Sequence, residues 1–250
     1  MSSLPADESH RPWPPPSGPW VVAMRWTDLA FLHWRVEHEA LRPLIPGELE
    51  LETWEGKAWL GITPFTMSKV TGQFMPALPG VSTFPELNTR TYVSANGKPG
   101  VWFFSLDAGS TLAVWVARWA FGLPYHRASM AVARRTEGID YRCLRTGTRG
   151  QGLRFEASYR PTGPVAPPEP DTVEHWLTER YCLYSVRRGV LCRGEIHHDP
   201  WPLQPASVEL TKNMMADPLG IELSPTPSLV HFSERLDVVA WLPSRVERAG

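Results

Sequence analysis

Cysteine is scarce. Cys143, Cys182 and Cys192 are the only three, an odd number with no CxxC spacing, which excludes a disulfide framework and a zinc site. They read as buried apolar packing in a reduced, cytosolic protein. Excess charge of one sign is also missing. The net charge is −1 over 250 residues and the signs are mixed along the chain, so neither nucleic acid nor an anionic membrane surface is indicated as a partner. Met1 to Pro19 has no apolar stretch of the kind a signal peptide needs. No apolar run reaches the ~20 residues of a membrane span, because Arg118 interrupts the best candidate. Nucleotide, phosphate and metalloprotease signatures are absent, as is the GxSxG elbow. No cofactor and no metal is therefore expected. No internal repeat occurs at a fixed period.

Proline and tryptophan are abundant instead, at 26 and 12. Proline at about twice its usual ~5% argues against long helices. Trp and Phe line roomy apolar pockets. Together they point to a β-rich domain with many loops. Met1 to Pro19 is polar and Pro-rich and reads as a disordered tail, followed by a single domain from Trp20 to Gly250.

Along that domain, Trp26–Val36 reads as extended and Glu37–Leu44 as a short helix limited by Pro43 and Pro46. Leu49–Trp54 and Lys57–Phe65 read as a hairpin across Glu55-Gly56. Met67–Val81, with Gly72, Pro76, Pro79 and Gly80, reads as a long loop of the kind that serves as a lid. Glu86–Val93 alternates, with Glu86, Asn88, Arg90 and Tyr92 on one face. Asn96-Gly97 is a turn, and Val101–Leu106 the returning strand. Leu112–Ala120 has an apolar helical pattern, ended by Gly122 and Pro124. Strands are expected at Ala128–Arg134, Ile139–Leu144, Leu153–Tyr159 and Val230–Trp241. Leu183–Val186 and Val190–His197 form a hairpin, Thr172–Tyr181 a short helix capped by Asp171, and Ser207–Ala216 another helix. About ten strands and a few short helices make a mainly β (α+β) fold, an antiparallel β-barrel or strongly curved sheet.

Three groups of residues bear chemistry. Tyr125 and His126, delivered from the end of the apolar helix, are able to transfer protons; the plainer reading has them close the helix by bonding loop carbonyls. Glu86, Asn88 and Arg90 offer an acid, an amide and a cation in a row. Lining an interior, they form an acid/base and binding site; facing solvent, they form a cross-strand ion pair. His197-His198-Asp199 contains metal-ligand types, but neighbours on a strand point to opposite faces. It reads as a strand end with one packed and one exposed His.

Several stretches resemble the uncharacterised bacterial family DUF2071, also labelled YqjF-like. They are Phe31-Leu32-His33-Trp34-Arg35-Val36, Ala58-Trp59-Leu60-Gly61-Ile62-Thr63-Pro64-Phe65, Phe84 to Val93, Gly100 to Asp107, Leu123-Pro124-Tyr125 and Pro200-Trp201-Pro202-Leu203-Gln204. This family in turn resembles acetoacetate decarboxylase, which implies a β-barrel or double-sheet cone around an apolar cavity. In that enzyme family a Trp-Gly-Phe-Pro-Lys-Lys motif follows a short helix. Its first Lys forms a Schiff base, and the second lowers the pKa of the first. Here Phe121-Gly122-Leu123-Pro124 stands in the frame, followed by Tyr125 and His126. Arg118 falls where the family has an arginine, Trp34-Arg35 resembles its Tyr-Arg, and Glu86 matches its site glutamate. The resemblance thus implies site roles for Glu86, Arg35 and Arg118. With the residues read from the strand face and the helix end, the catalytic candidates are Glu86, Tyr125 and His126, and the ligand contacts Arg35, Asn88, Arg90 and Arg118. A phenol forms no iminium, so decarboxylation through a Schiff base is not expected.

Two functions fit. One is a protein that binds a small molecule in a retained cavity, without the lysine chemistry. The other is an enzyme acting on a small carbonyl or carboxylic compound by acid/base chemistry. The partner is a small-molecule ligand or substrate in both, and either is compatible with a homo-oligomer.

Overall fold

A computed structural model describes residues 7–73, 83–110, 121–147 and 150–247. The helix expected over Leu112–Ala120, with Arg118, lies outside these residues. Of the lid-like loop expected over Met67–Val81, residues 67–72 instead continue a strand that pairs along residues 22–26, and 74–81 lie outside the described residues.

Thirteen strands form one sheet among the described residues. In chain order they are β1 (Val22–Val36), β2 (Glu50–Leu51), β3 (Ala58–Gly72), β4 (Phe84–Ala95), β5 (Lys98–Ala108), β6 (Tyr125–Arg134) and β7 (Ile139–Arg145). Then follow β8 (Arg154–Pro161), β9 (Cys182–Arg187), β10 (Val190–His198), β11 (Gln204–Asn213), β12 (Leu229–Ala240) and β13 (Ser244–Arg245). Two short helices accompany them, α1 (His38–Leu41) and α2 (Val173–Thr178). The Oγ1 of Thr172, not Asp171, caps α2 by accepting from the His175 N–H. No described helix is long and apolar enough to cross a membrane.

The sheet closes on itself. Running β5-β6-β7-β8-β11-β12-β1-β3-β4 and back to β5 through the β4–β5 ladder gives a nine-strand barrel. The β5–β9 and β10–β12 pairings close a second ring, β5-β9-β10-β12-β1-β3-β4. The pairings are antiparallel except β5–β6 and β5–β9. Two-residue turns set several registers. Asn96-Gly97 and Arg188-Gly189 both have positive φ at their central positions, the geometry that matches the twist of flanking strands.

Because β1, β3 and β4 belong to both rings, both their faces are buried. Side chains alternate between two cores. Ala30, Leu32 and Trp34, Leu60 and Ile62, and Leu87 join the core of the nine-strand barrel with Tyr141, Phe155 and Tyr159. Their neighbours Leu29 and Phe31, Phe65 and Met67 turn to the second ring, with Leu106, Tyr125 and Trp201. Large buried side chains occupy the first ring, while the second holds a cavity.

Three expectations change. Ser207–Ala216 is strand for most of its length: Ala206, Val208 and Leu210 alternate with Ser207, Glu209 and Thr211, and β11 pairs along β8. The Glu55-Gly56 turn is present, bridged by Trp54 and Lys57, but β2 pairs with β4 rather than β3. It takes the side of β4 beyond the start of β3, where that side of the strand is unpaired. The Pro-rich segment expected to be loose is tied down at Arg11, which is 7% exposed. Its Nη2 donates to Glu195 Oε2 at 3.3 Å, and the Trp13 indole donates to the same oxygen at 2.8 Å.

Candidate functional site

The second ring encloses a cavity of about 410 Å³, within the range of small-molecule sites. Its walls are mostly apolar, with Phe65, Phe103, Leu106, Trp26 and Trp201 prominent. Polar side chains enter at few places: Thr63, Glu86, Asn88, Arg90, Tyr125, Thr178, Arg180 and His198.

Alternation along β4 sends Glu86, Asn88 and Arg90 inward while Leu87 packs into the other core. The face of Glu86 and Asn88, 2% and 5% exposed, meets the cavity rather than solvent. Glu86 is paired with Tyr125, whose hydroxyl donates to Oε2 at 3.0 Å. Tyr125 reaches it because β6 starts alongside β5, with Tyr125 opposite Leu106, while Glu86 lies opposite Ala108. The Tyr141 hydroxyl, from the core of the first ring, donates to the Glu86 carbonyl at 2.7 Å and holds the backbone there.

Burial sets the electrostatics. Desolvation raises the Glu86 carboxyl to about 8, against the lowering effect of the Tyr125 bond and with help from nearby Asp107. Glu86 is therefore largely protonated at neutral pH. Burial and the Glu86 carboxyl push the Tyr125 phenol well up. Behind them, Asp107 accepts two 2.6 Å bonds from Nε and Nη2 of Arg145. Its carboxyl is nevertheless raised, since burial outweighs the guanidinium.

Arg90 lies with its Cζ 5.2 Å from the Phe31 ring and 5.8 Å from the Tyr92 ring, in cation–π range. Gly61 makes room for it: a Cβ there would sit 3.1 Å from the His33 ring and 3.4 Å from Arg90 Cγ. No described acid pairs with Arg90. Its Nε, the Asn88 Oδ1 and the Thr63 Oγ1 are buried without a partner.

The remaining expected residues lie elsewhere. Arg35 is exposed, with its guanidinium 5.3 Å from the Trp59 ring, and does not line the cavity. His126 follows Tyr125 on β6 and is also outside the lining; adjacent strand positions face opposite ways. None of the four lysines lines the cavity. The His197-His198 pair differs from expectation, since both are buried, at 3% and 0%. His198 faces the cavity, and the His10 ring covers His197 at 5.6 Å. No described group of three or more His, Cys, Asp or Glu is placed to hold a metal.

Arg180 was not singled out from sequence. It follows α2, its side chain is 5% exposed, and it pairs with Glu52. A lone Arg after a short helix carries no distinguishing pattern, and only the ring closure brings it beside Arg90.

The DUF2071 model, described as an uncharacterized conserved protein, matches residues 23–237. The chain belongs to the DUF2071 family. Among its relatives, the uncharacterized protein YqjF of Bacillus subtilis (strain 168) is 42% identical over 226 residues, covering 90% of this chain and 93% of YqjF. Solved structures similar to this DUF2071 chain share its fold. The enduracididine biosynthesis enzyme MppR complexed with pyruvate has a TM-score of 0.64 at 14% identity, over 96% of this chain and 93% of that one. An acetoacetate decarboxylase-like enzyme from Sphingomonas wittichii RW1 has 0.63 at 13%, over 92% and 94%. Acetoacetate decarboxylase from Legionella pneumophila has 0.61 at 15%, over 99% and 98%. The DUF2071 chain thus has an acetoacetate decarboxylase-like fold, mainly β with a few short helices.

Proposed function

We propose that this chain binds a small, partly apolar carbonyl or carboxylic compound in the cavity of the second ring. The observation that carries this reading is the combination of apolar walls with buried polar atoms that lack partners: Thr63 Oγ1, Asn88 Oδ1 and Arg90 Nε. Each such atom costs about 1–3 kcal/mol when left unpaired. A ligand that satisfies them recovers part of that cost. The fold relatives support the chemical class: MppR is seen with pyruvate and with a condensation product of pyruvate. The wall without lysine argues against Schiff-base decarboxylation. Free, buried Cys143, Cys182 and Cys192 fit a cytosolic setting.

A thermal-shift screen with keto acids, aromatic acids and lipid-like ligands tests this reading. Stabilisation by a compound recovered unaltered after long incubation is the expected result; no stabilisation by any class sinks it. Borohydride trapping with acetoacetate should leave the four lysines unmodified.

One observation favours a second reading, an acid/base enzyme. The Glu86 carboxyl near 8 and the Tyr125 hydroxyl lie 3.0 Å apart on the cavity wall, which suits proton transfer to and from a bound carbonyl compound. His126 and Arg118 have no assigned part in that step. Under this reading, Glu86→Gln and Tyr125→Phe abolish turnover of any substrate found. Unchanged rates in both reject it.

A further inference from the structure

The cavity is not electrically uniform along β4. Glu86, Asn88 and Arg90 share its inner face, and a rise of about 3.3 Å per residue puts the Cα atoms of Glu86 and Arg90 about 13 Å apart. The Glu86 end holds a carboxyl and a phenol bonded to each other. That pair is uncharged at neutral pH, because burial keeps Glu86 protonated.

The Arg90 end is different. Arg90 and Arg180 both approach the Tyr92 ring, with Cζ at 5.8 and 5.2 Å. The charge of Arg180 is matched by Glu52. Its Nε donates to the Trp176 carbonyl at 2.6 Å, leaving Nη2 buried without a partner. Arg90 has no acidic partner among the described residues, and its Nε is likewise unsatisfied. His33 and His198, which stand near this end, are both held neutral by burial. The described walls therefore carry one unmatched positive charge, with N–H donors around it. Phe103 and Trp201 are among the apolar walls, and Asn88 stands between Glu86 and Arg90 on β4.

We propose that the ligand is a monocarboxylic acid with a carbonyl or hydroxyl group several carbons away, its carboxylate on Arg90 and Arg180 and its distal oxygen on Glu86 and Tyr125. This rests on the cavity being a ligand site, as argued above. The two attachment points sit four residues apart along β4, so an acid whose two oxygen groups are several carbons apart is the kind that reaches both. Short 2-oxo and 3-oxo acids have their carbonyl too close to the carboxylate to reach both ends. A dicarboxylate would bring a second charge to the Glu86 end, where nothing balances it.

Trp26 and Trp201, stacked at 5.7 Å on the wall, report occupancy through intrinsic fluorescence. Titrations of the full chain at pH 7 compare 7-oxooctanoate, octanoate, suberate, 2-oxobutanoate and the uncharged octan-2-one. We expect 7-oxooctanoate to bind tightest, and octan-2-one about tenfold more weakly or worse, as the loss of a charge-assisted bond implies. Arg90→Gln should cost about tenfold in affinity for the acids and clearly less for octan-2-one, whose binding also shows that the variant folds. Glu86→Leu should remove the preference for 7-oxooctanoate over octanoate. Tighter binding of 2-oxobutanoate or suberate, or affinity indifferent to charge, overturns this proposal and leaves the cavity reading standing. If no compound binds, octan-2-one included, the cavity reading fails and this proposal with it.

Discussion

The Tyr125 hydroxyl donates to Oε2 of Glu86 at 3.0 Å across the junction of β4 and β6, in a wall that is otherwise mostly apolar. This pair ties stability to pH. The Glu86 carboxyl moves from an ordinary 4.5 to about 8 in the folded chain. Between those values the folded state holds a proton that the unfolded state has released. Stability is therefore fully present below about 4.5 and falls as pH rises towards 8, by about 1.4 kcal/mol per unit for this one proton. Chemical denaturation of wild type and Glu86→Gln from pH 5 to 8 isolates the contribution. The difference between them should shift steadily in favour of Gln as pH rises, because Gln has no proton to lose. A difference that stays flat across the range would mean Glu86 is ionised throughout.

Tyr125→Phe removes the bond that lowers the Glu86 carboxyl, while the burial that raises it stays. The carboxyl should move above 8, read from the carboxyl stretch by infrared titration. The lost bond should cost about 1–2 kcal/mol in denaturant. A carboxyl that titrates lower in the variant would show that water replaces the phenol.

How much of this was open to the sequence depends on the range of the information. Period-two alternation put Glu86, Asn88 and Arg90 on one face, because strand geometry is local. It was silent on whether that face met water, which depends on β9 and β10 closing a ring with strands distant in the chain. Asn96-Gly97 announced its turn through the positive φ both positions need. β11 was misread because a few apolar residues in a mixed segment also fit a helical face; pairing with β8 decides it. Arg11 sits in a segment whose prolines and polar residues suggest a loose tail. Composition describes a segment on average, and one guanidinium pairing with Glu195 is invisible to it.

Asp107 and Arg145 form a two-bond ion pair with side chains 0% and 5% exposed. Removing one partner leaves the other buried and uncompensated, so Arg145→Met should cost about 3–5 kcal/mol. Asp107→Asn should cost at least as much, because it strands the buried Arg145 guanidinium, which cannot lose its charge, whereas Asp107 left alone can take up a proton. Asp107 also raises the Glu86 carboxyl, so in Asp107→Asn the Glu86 titration should move down. An unmoved titration would mean that burial alone sets Glu86.

Gly100 tests whether the second ring is closed as tightly as the pairing implies. It lies on β5 opposite Val93 of β4, one residue before the β5–β9 pairing begins at Val101 and Leu183. A Cβ at this position would sit 2.7 Å from the Cys182 carbonyl oxygen and 2.9 Å from the Tyr184 ring. The first contact is with backbone and has no rotamer to relieve it. Gly100→Ala should therefore force β5 and β9 apart and cost about 1–3 kcal/mol as overpacking. Cys182 and Leu183 also line the cavity, so ligand affinity should fall in the same variant. Gly97→Ala is the control: its φ of +70 strains the turn, but no atom lies within 4 Å of the added methyl. It should lower stability without changing affinity. Equal effects on affinity from both variants would mean that the β5–β9 seam does not shape the cavity.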